Sequence, residues 1–284
     1  GMIRIIESPR EGMQGFSRQI PAEEKIRYIN GILRVGFDTV ETGSIVSPKI
    51  IPQMADSLEV LGKLDLASKR SSLMFLAVHA RGAEKLAETE EVDIISYPFS
   101  FSPTFLKLNV NATVEDSFRT TELVINLCAR RGKQAVIYVS MAFGNPYGDP
   151  WSIGLLGEWV GKLHRAGARI IPLSNVSTEI GPDLIREVFS TLIPLFPGVE
   201  FGLHLHTANE GWYDKVDAAY KAGCRRFDGV INGWGGCPMA GKKLLGNLKT
   251  ENLLLYAAQN GIETGTDNQA LLEVYRTARE VFGE

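Results

Sequence analysis

The chain has 284 residues, 44% hydrophobic and 22% charged, which excludes wholesale disorder and leaves ample material for a large core. Thirty basic side chains stand against 33 acidic ones, a formal charge of −3, without the basic excess that a nucleic-acid or anionic-membrane surface needs. Three widely spaced cysteines (Cys128, Cys224, Cys237) imply no disulfide framework. No apolar run approaches the roughly 18 residues of a membrane span, and Gly1-Met2-Ile3-Arg4 has no signal-peptide layout. A cytoplasmic globular protein is expected.

In chain order, a strand at 2–6 is followed by a helix at 21–35, and strands at 37–41, 72–77 and 93–97 by a helix at 113–130. Strands at 134–140, 169–173, 200–206 and 226–231 then alternate with helices at 151–166, 182–195 and 209–222, and helices at 250–261 and 267–283 close the chain. Each strand is short, apolar and rarely alternating, the pattern of a strand covered on both faces. Thr113 with Asp116 three residues on is a weak capping-box variant. Eight strand–helix units in about 280 residues fit a closed TIM (β/α)8 barrel. The open doubly wound alternative lacks its Gly-x-Gly-x-x-Gly, since Ile6 runs into Glu7-Ser8-Pro9-Arg10. No linker or repeat marks a second domain, so 1–284 reads as one catalytic barrel domain with extra C-terminal helices at about 250–284.

Chemistry in such a barrel collects just after the strands. The seventh strand ends His204-Leu205-His206, and side chains at i and i+2 share one side, so both imidazoles can aim into one pocket. That suits a metal, or two histidines making ordinary hydrogen bonds. His79 and His164 read as structural or solvated. After the first strand, Arg10 and Glu11 are either a surface ion pair or a pair with divided work. In the second reading, Glu11 gives an oxygen to a metal and Arg10 binds a substrate oxygen that becomes negative. Glu41 is a candidate acid, base or orienting carboxylate, or a partner for Lys49 or Arg10. Cys237 lies in a glycine-rich loop that is a poor place to bury a thiol, which favours a functional cysteine, whereas Cys128 and Cys224 read as packing. Asn247 either caps the helix beginning near Thr250 or ligates a hard cation.

Several motifs stand in one order: Arg10-Glu11-Gly12-Met13-Gln14, Val40-Glu41-Thr42-Gly43-Ser44, Ser47-Pro48-Lys49, Val139-Ser140, His204-Leu205-His206, Gly235-Gly236-Cys237-Pro238 and Gly246-Asn247-Leu248. Together they resemble the 3-hydroxy-3-methylglutaryl-CoA lyases and their metal-dependent barrel relatives, from Glu7 to about Leu272. The resemblance implies a TIM barrel, a bound Mg²⁺ or Mn²⁺ (two imidazoles also accept Zn²⁺), and cleavage of 3-hydroxy-3-methylglutaryl-CoA, or a similar 3-hydroxy acyl-CoA, to acetyl-CoA and a keto acid. It places metal ligands on Glu11, His204, His206 and Asn247, and catalytic groups on Arg10, Cys237 and Glu41. Substrate contacts fall on Arg10, Gln14 and Asn175. It also implies a homodimer.

Three positions depart from the family pattern. Glu11 replaces the usual aspartate, Asn175 replaces the strand-six aspartate, and Thr207 replaces the aspartate after His-x-His. Fewer carboxylates should weaken cation binding. The alternatives are a related aldolase or lyase acting on another hydroxy acid, and a catalytically degenerate ligand-binding barrel. A condensing Claisen synthase is less favoured, because such chains carry a C-terminal regulatory region and this one stops at Glu284.

Overall fold

The structure, a computed structural model, describes residues 1–234 and 245–283. Eight parallel strands close into a barrel in sequence order: β1 (Arg4–Glu7), β2 (Thr39–Ile45), β3 (Ser72–Ala77), β4 (Ile94–Phe99), β5 (Gln134–Val139), β6 (Ile170–Ser174), β7 (Glu200–His204) and β9 (Arg226–Gly229). The ring is sealed where the last strand pairs with the first, Arg4 opposite Arg226 and Glu7 opposite Gly229. All eight predicted strands are present and the expected barrel is the one observed. The 200–206 segment breaks in two: β8 (His206–Thr207) leaves the barrel wall and pairs antiparallel with β10 (Gly246–Asn247) on the rim.

Alternation along the strands separates two apolar regions. Ile6, Met74, Ile94, Val136 and Tyr138 form a small cluster in the lumen, while the larger cluster joins the outer faces of the strands to the helices. The helix α8 (Pro182–Leu195) shows the outer pattern: Ile185, Val188, Phe189 and Leu192, at i, i+3, i+4 and i+7, are its buried stripe. Each such side chain contributes about 1.5–3 kcal/mol on burial.

Helices α2 (Ala22–Leu33), α6 (Val114–Arg131), α7 (Ile153–Arg165) and α9 (Trp212–Lys221) lie within two or three residues of their predicted ends. The Thr113–Asp116 capping box forms in full. Of the two helices expected beyond the eight units, α10 (Thr250–Gln259) packs on β9 and β1, the place of a barrel's eighth helix. Only α11 (Asn268–Phe282) is additional, and it lies against α2.

Four short helices were not anticipated: α1 (Pro9–Gln14), α3 (Ser57–Leu61), α4 (Ala80–Ala87) and α5 (Pro103–Val110). The first matters most for the site. Ser8 caps it, its Oγ accepting from the Glu11 amide, and Pro9 begins it with a preset φ. Arg10, Glu11 and Gln14 therefore project from a helical turn rather than a loop. No helix among the described residues is long and apolar enough to cross a membrane.

Candidate functional site

The site stands on the rim where the strands end. His204 closes β7 and His206 opens β8, so the period of two sends both rings the same way, 5.1 Å apart between centroids. Their Nδ1 atoms are held differently. His204 Nδ1 is 2.7 Å from Asp228 Oδ2, and His206 Nδ1 is 2.6 Å from the Asn175 carbonyl oxygen. Each acceptor takes a proton from Nδ1, which leaves Nε2 of both rings as the free ligand atom in the neutral tautomer.

Both Nε2 atoms face the Glu11 carboxylate on α1, at 3.2 Å from His204 and 3.5 Å from His206. One ligand atom from each of these three residues lies within 4.8 Å of the others, the spacing of a metal centre. Asn247 joins them through the rim pairing, which sets it opposite His206. Its amide nitrogen donates to the Trp234 carbonyl at 2.8 Å, and the α10 N-cap is Lys249, so the capping role considered from sequence falls away.

Two buried oxygens here have no hydrogen-bond partner among the described residues: Glu11 Oε2 and Asn247 Oδ1. An orphaned buried acceptor costs about 1–3 kcal/mol, and a divalent cation would satisfy both at once. Two imidazoles, one carboxylate and one amide oxygen suit a divalent ion of borderline to hard character. The residues therefore fit the metal.

The electrostatics of the site match this reading. Burial opposes ionisation of Glu11, but the charge of His204 and the hydrogen bonds from both histidines hold its carboxyl well below the usual range. Burial likewise disfavours a charged His204, yet Glu11 and Asp228 outweigh it and raise the imidazole well above its ordinary value.

Arg10 is fixed beside this cluster. Its Nε and Nη2 donate to Glu41 Oε1 at 2.8 and 2.6 Å, and its Nη1 donates to Gln14 Oε1 at 2.9 Å. Among the described residues, three of the five guanidinium N–H groups are committed and two remain for a ligand. Glu41 also accepts from Ser8 Oγ at 2.9 Å and Ser96 Oγ at 3.1 Å. Glu41 lies opposite Met74 of the inner cluster, one residue past Val40 of the outer one, so strand alternation turns this carboxylate into the lumen. Of the partners considered for Glu41, the structure selects Arg10; Lys49 is exposed.

Asn175, expected to contact the substrate, is held here by backbone groups. Its amide nitrogen donates to the carbonyls of Thr178 and His206, and its oxygen accepts from the His206 amide at 2.8 Å. Every polar atom of the side chain is engaged with backbone, so it clamps the turn between β7 and β8. Thr207 bonds Glu179 and Lys215, tying the loop after β6 to α9. His79 caps α4 through Nδ1, and His164 lies beside Arg169 and Phe196, both structural as expected. Cys128 and Cys224 are buried free thiols. Cys237 lies outside the described residues.

Two members escaped the sequence reading. Asp228 on β9 is buried and accepts at Oδ2 both from His204 and from the Tyr138 hydroxyl, the latter at 2.5 Å. Tyr138 on β5 stands edge-on to His204, at 5.6 Å and 89°. The available signal was an acid within a short predicted strand, between Phe227 and the apolar Val230-Ile231.

The HMGL-like family profile matches residues 3–278, nearly the whole chain. The chain belongs to the HMGL-like family. It is 30% identical over 276 residues to the mitochondrial hydroxymethylglutaryl-CoA lyase of Rattus norvegicus, covering 95% of this chain and 83% of that one. A structure of an HMG-CoA lyase from Acinetobacter baumannii, in complex with coenzyme A and 3-methylmalate, superposes with a TM-score of 0.90 at 28% identity, covering 100% of this chain and 92% of that one. The HMG-CoA lyase of Brucella melitensis does so with a TM-score of 0.90 at 27% identity, covering 100% and 99%. Relatives carry both mitochondrial and cytoplasmic names.

Proposed function

We propose that the protein is a divalent-metal-dependent carbon–carbon lyase that cleaves 3-hydroxy-3-methylglutaryl-CoA, or a close 3-hydroxy acyl-CoA, to acetyl-CoA and a keto acid. The observation that carries this is the convergence of Glu11, His204, His206 and the orphaned Asn247 oxygen beside the free N–H groups of Arg10. The complex of the A. baumannii enzyme with coenzyme A supports an acyl-CoA substrate.

Glu11, His204, His206 and Asn247 would hold the ion, Mg²⁺ or Mn²⁺, with Zn²⁺ also compatible with the donor set. When bound, it supplies a Lewis acid for the hydroxyl and carbonyl oxygens of the substrate. In a retro-Claisen cleavage the tertiary hydroxyl loses its proton to solvent water, its oxygen becomes the carbonyl of the keto acid as the C–C bond breaks, and the electron pair of that bond moves onto the thioester enolate. Arg10 offers its two remaining N–H groups to that enolate oxygen, and its charge persists at any working pH. Glu41 and Gln14 grip the other three N–H groups, so the guanidinium meets developing charge without reorienting. The amide nitrogen of Gln14 faces no partner requirement from Arg10 and is assigned to the substrate. Asn175 is assigned to holding His206. Cys237 is assigned to protonating the enolate carbon, which completes acetyl-CoA. Residues 1–284 act as one catalytic domain, and a homodimer in the cytoplasm belongs to the same reading, which suits the two buried free thiols.

The test is direct. Metal-loaded protein mixed with 3-hydroxy-3-methylglutaryl-CoA should yield acetyl-CoA, and Glu11→Ala should abolish both metal binding and turnover. Absence of acetyl-CoA with either Mg²⁺ or Mn²⁺ rejects the named substrate, and a panel of other 3-hydroxy acyl-CoA thioesters then separates a changed substrate from an inactive barrel.

A further inference from the structure

We infer that Asp228 and Tyr138 form a positioning pair that makes His204 the dominant nitrogen ligand of the metal centre; this rests on the metal reading of Glu11, His204 and His206 given above. The argument begins with an asymmetry. The two histidines look equivalent in sequence, yet their Nδ1 atoms meet different groups. His206 is fixed through backbone, by the Asn175 carbonyl and by the Asn175 side chain on either side of its own peptide. His204 instead meets the carboxylate of Asp228, a charged acceptor at 2.7 Å.

The pairing is built by the barrel itself. Leu203 lies opposite Phe227 in the β7–β9 ladder, so His204 and Asp228 are next in register and both turn inward. Asp228 is buried, and the two bonds it accepts, from His204 and from Tyr138, converge on the same oxygen, Oδ2. Its Oδ1 has no hydrogen-bond partner among the described residues, so both bonds of the carboxylate fall on the one oxygen that meets His204. A full negative charge on Nδ1–H makes Nε2 a better electron donor than the carbonyl behind His206 can. It also excludes the tautomer that would put the proton on Nε2, where the ion belongs.

Tyr138 adds two constraints. Its hydroxyl donates to Oδ2 at 2.5 Å and stops the carboxylate from rotating its charge away from the imidazole. Its ring stands perpendicular to that of His204 and blocks the ring flip that would exchange Nδ1 and Nε2. Neither residue is placed to touch the ion, so both act through His204.

The experiment measures Mn²⁺ affinity directly, from the free-ion signal in electron paramagnetic resonance, on wild-type protein, Asp228→Asn and Tyr138→Phe. Asp228→Asn keeps the shape and removes the charge, and is expected to weaken Mn²⁺ binding by about 10–100-fold. Tyr138→Phe is expected to weaken it less, by several-fold, and serves as the milder variant should Asp228→Asn fold poorly. In both, excess Mn²⁺ should restore turnover, which a collapsed fold would not allow. Affinities within twofold of wild type in both variants overturn the inference, as does a loss of turnover that excess Mn²⁺ leaves unchanged. Wild-type protein that binds Mn²⁺ but cleaves no thioester refutes the proposed reaction alone, and the affinity series still decides the inference. Wild-type protein that binds no Mn²⁺ refutes both.

Discussion

The Glu41–Arg10 pair gives a prediction whose size follows from the geometry. Glu41→Gln preserves shape, and its amide oxygen can still accept from Arg10 Nε and Nη2 while its NH₂ turns to Ser96 Oγ. What disappears is the charge. A hydrogen bond to a charged group contributes about 1.5–3 kcal/mol and a neutral one about 0.5–1.5, so weakening the two bonds from Arg10 costs about 2–3 kcal/mol. Glu41→Ala leaves a buried guanidinium uncompensated and costs about 3–5 kcal/mol. At about 2 cal/mol/K per residue, unfolding entropy for this length is about 0.6 kcal/mol/K, so Tm should fall by about 3–5 °C and 5–8 °C respectively. Turnover should fall further than stability implies, by about 10–100-fold for Glu41→Gln, because the two weaker bonds fix the Arg10 guanidinium less firmly. Thermal melts and steady-state kinetics on Glu41→Gln, Arg10→Ala and the double variant close a cycle. A coupling energy near 2–3 kcal/mol is expected; one below about 0.5 kcal/mol would refute the claim that Glu41 works by holding Arg10.

Removing the metal reverses the pH response of the site. His204 is raised in the ion-free fold, so its stabilisation is full below its ordinary 6.5 and is lost as pH climbs through the folded value. Metal affinity moves oppositely, rising about tenfold per pH unit over that window as one proton is displaced, which calorimetry in buffers of different ionisation enthalpy reads as proton release. Burial pushes the Cys224 thiol up to about 12 and the Cys128 thiol up to about 11. A Cys237→Ser variant should therefore react slowly with a thiol-specific dye at pH 8 when native, and with both remaining thiols when denatured. A Cβ at Gly43 would lie 2.7 Å from Phe75 Cζ, inside the core, so Gly43→Ala should cost about 1–3 kcal/mol in denaturant unfolding.

The barrel was legible because its signal is periodic: eight buried strands and their amphipathic helices carry apolar spacing that composition alone does not mimic. The histidine pair was legible for the same reason, since a period of two is local. Asp228 was not, because the predicted barrel sets β7 beside β9 but not their register, and only the pairing of Leu203 with Phe227 brings Asp228 level with His204. The α1 turn was missed although Ser8-Pro9 is a helix-start signal, because six residues are too few to show an apolar period. Asn175 shows a different limit. The family resemblance suggested a substrate contact there, and the tertiary structure engages its polar atoms with the Thr178 carbonyl and with the backbone of His206, which lies 31 residues away, a pairing that local sequence does not reveal.

The proposed ligands straddle the closure of the ring. Glu11 follows the first strand, Asn247 precedes the final barrel helix, and buried Glu7 accepts beneath them from the Ile231 amide and the Thr250 hydroxyl. An ion gripped from both sides of this junction would act as a clasp on the barrel's own seam. Fraying at either end of the chain would then release the cation while most of the wall still stood, and the protein would lose its chemistry well before it lost its shape.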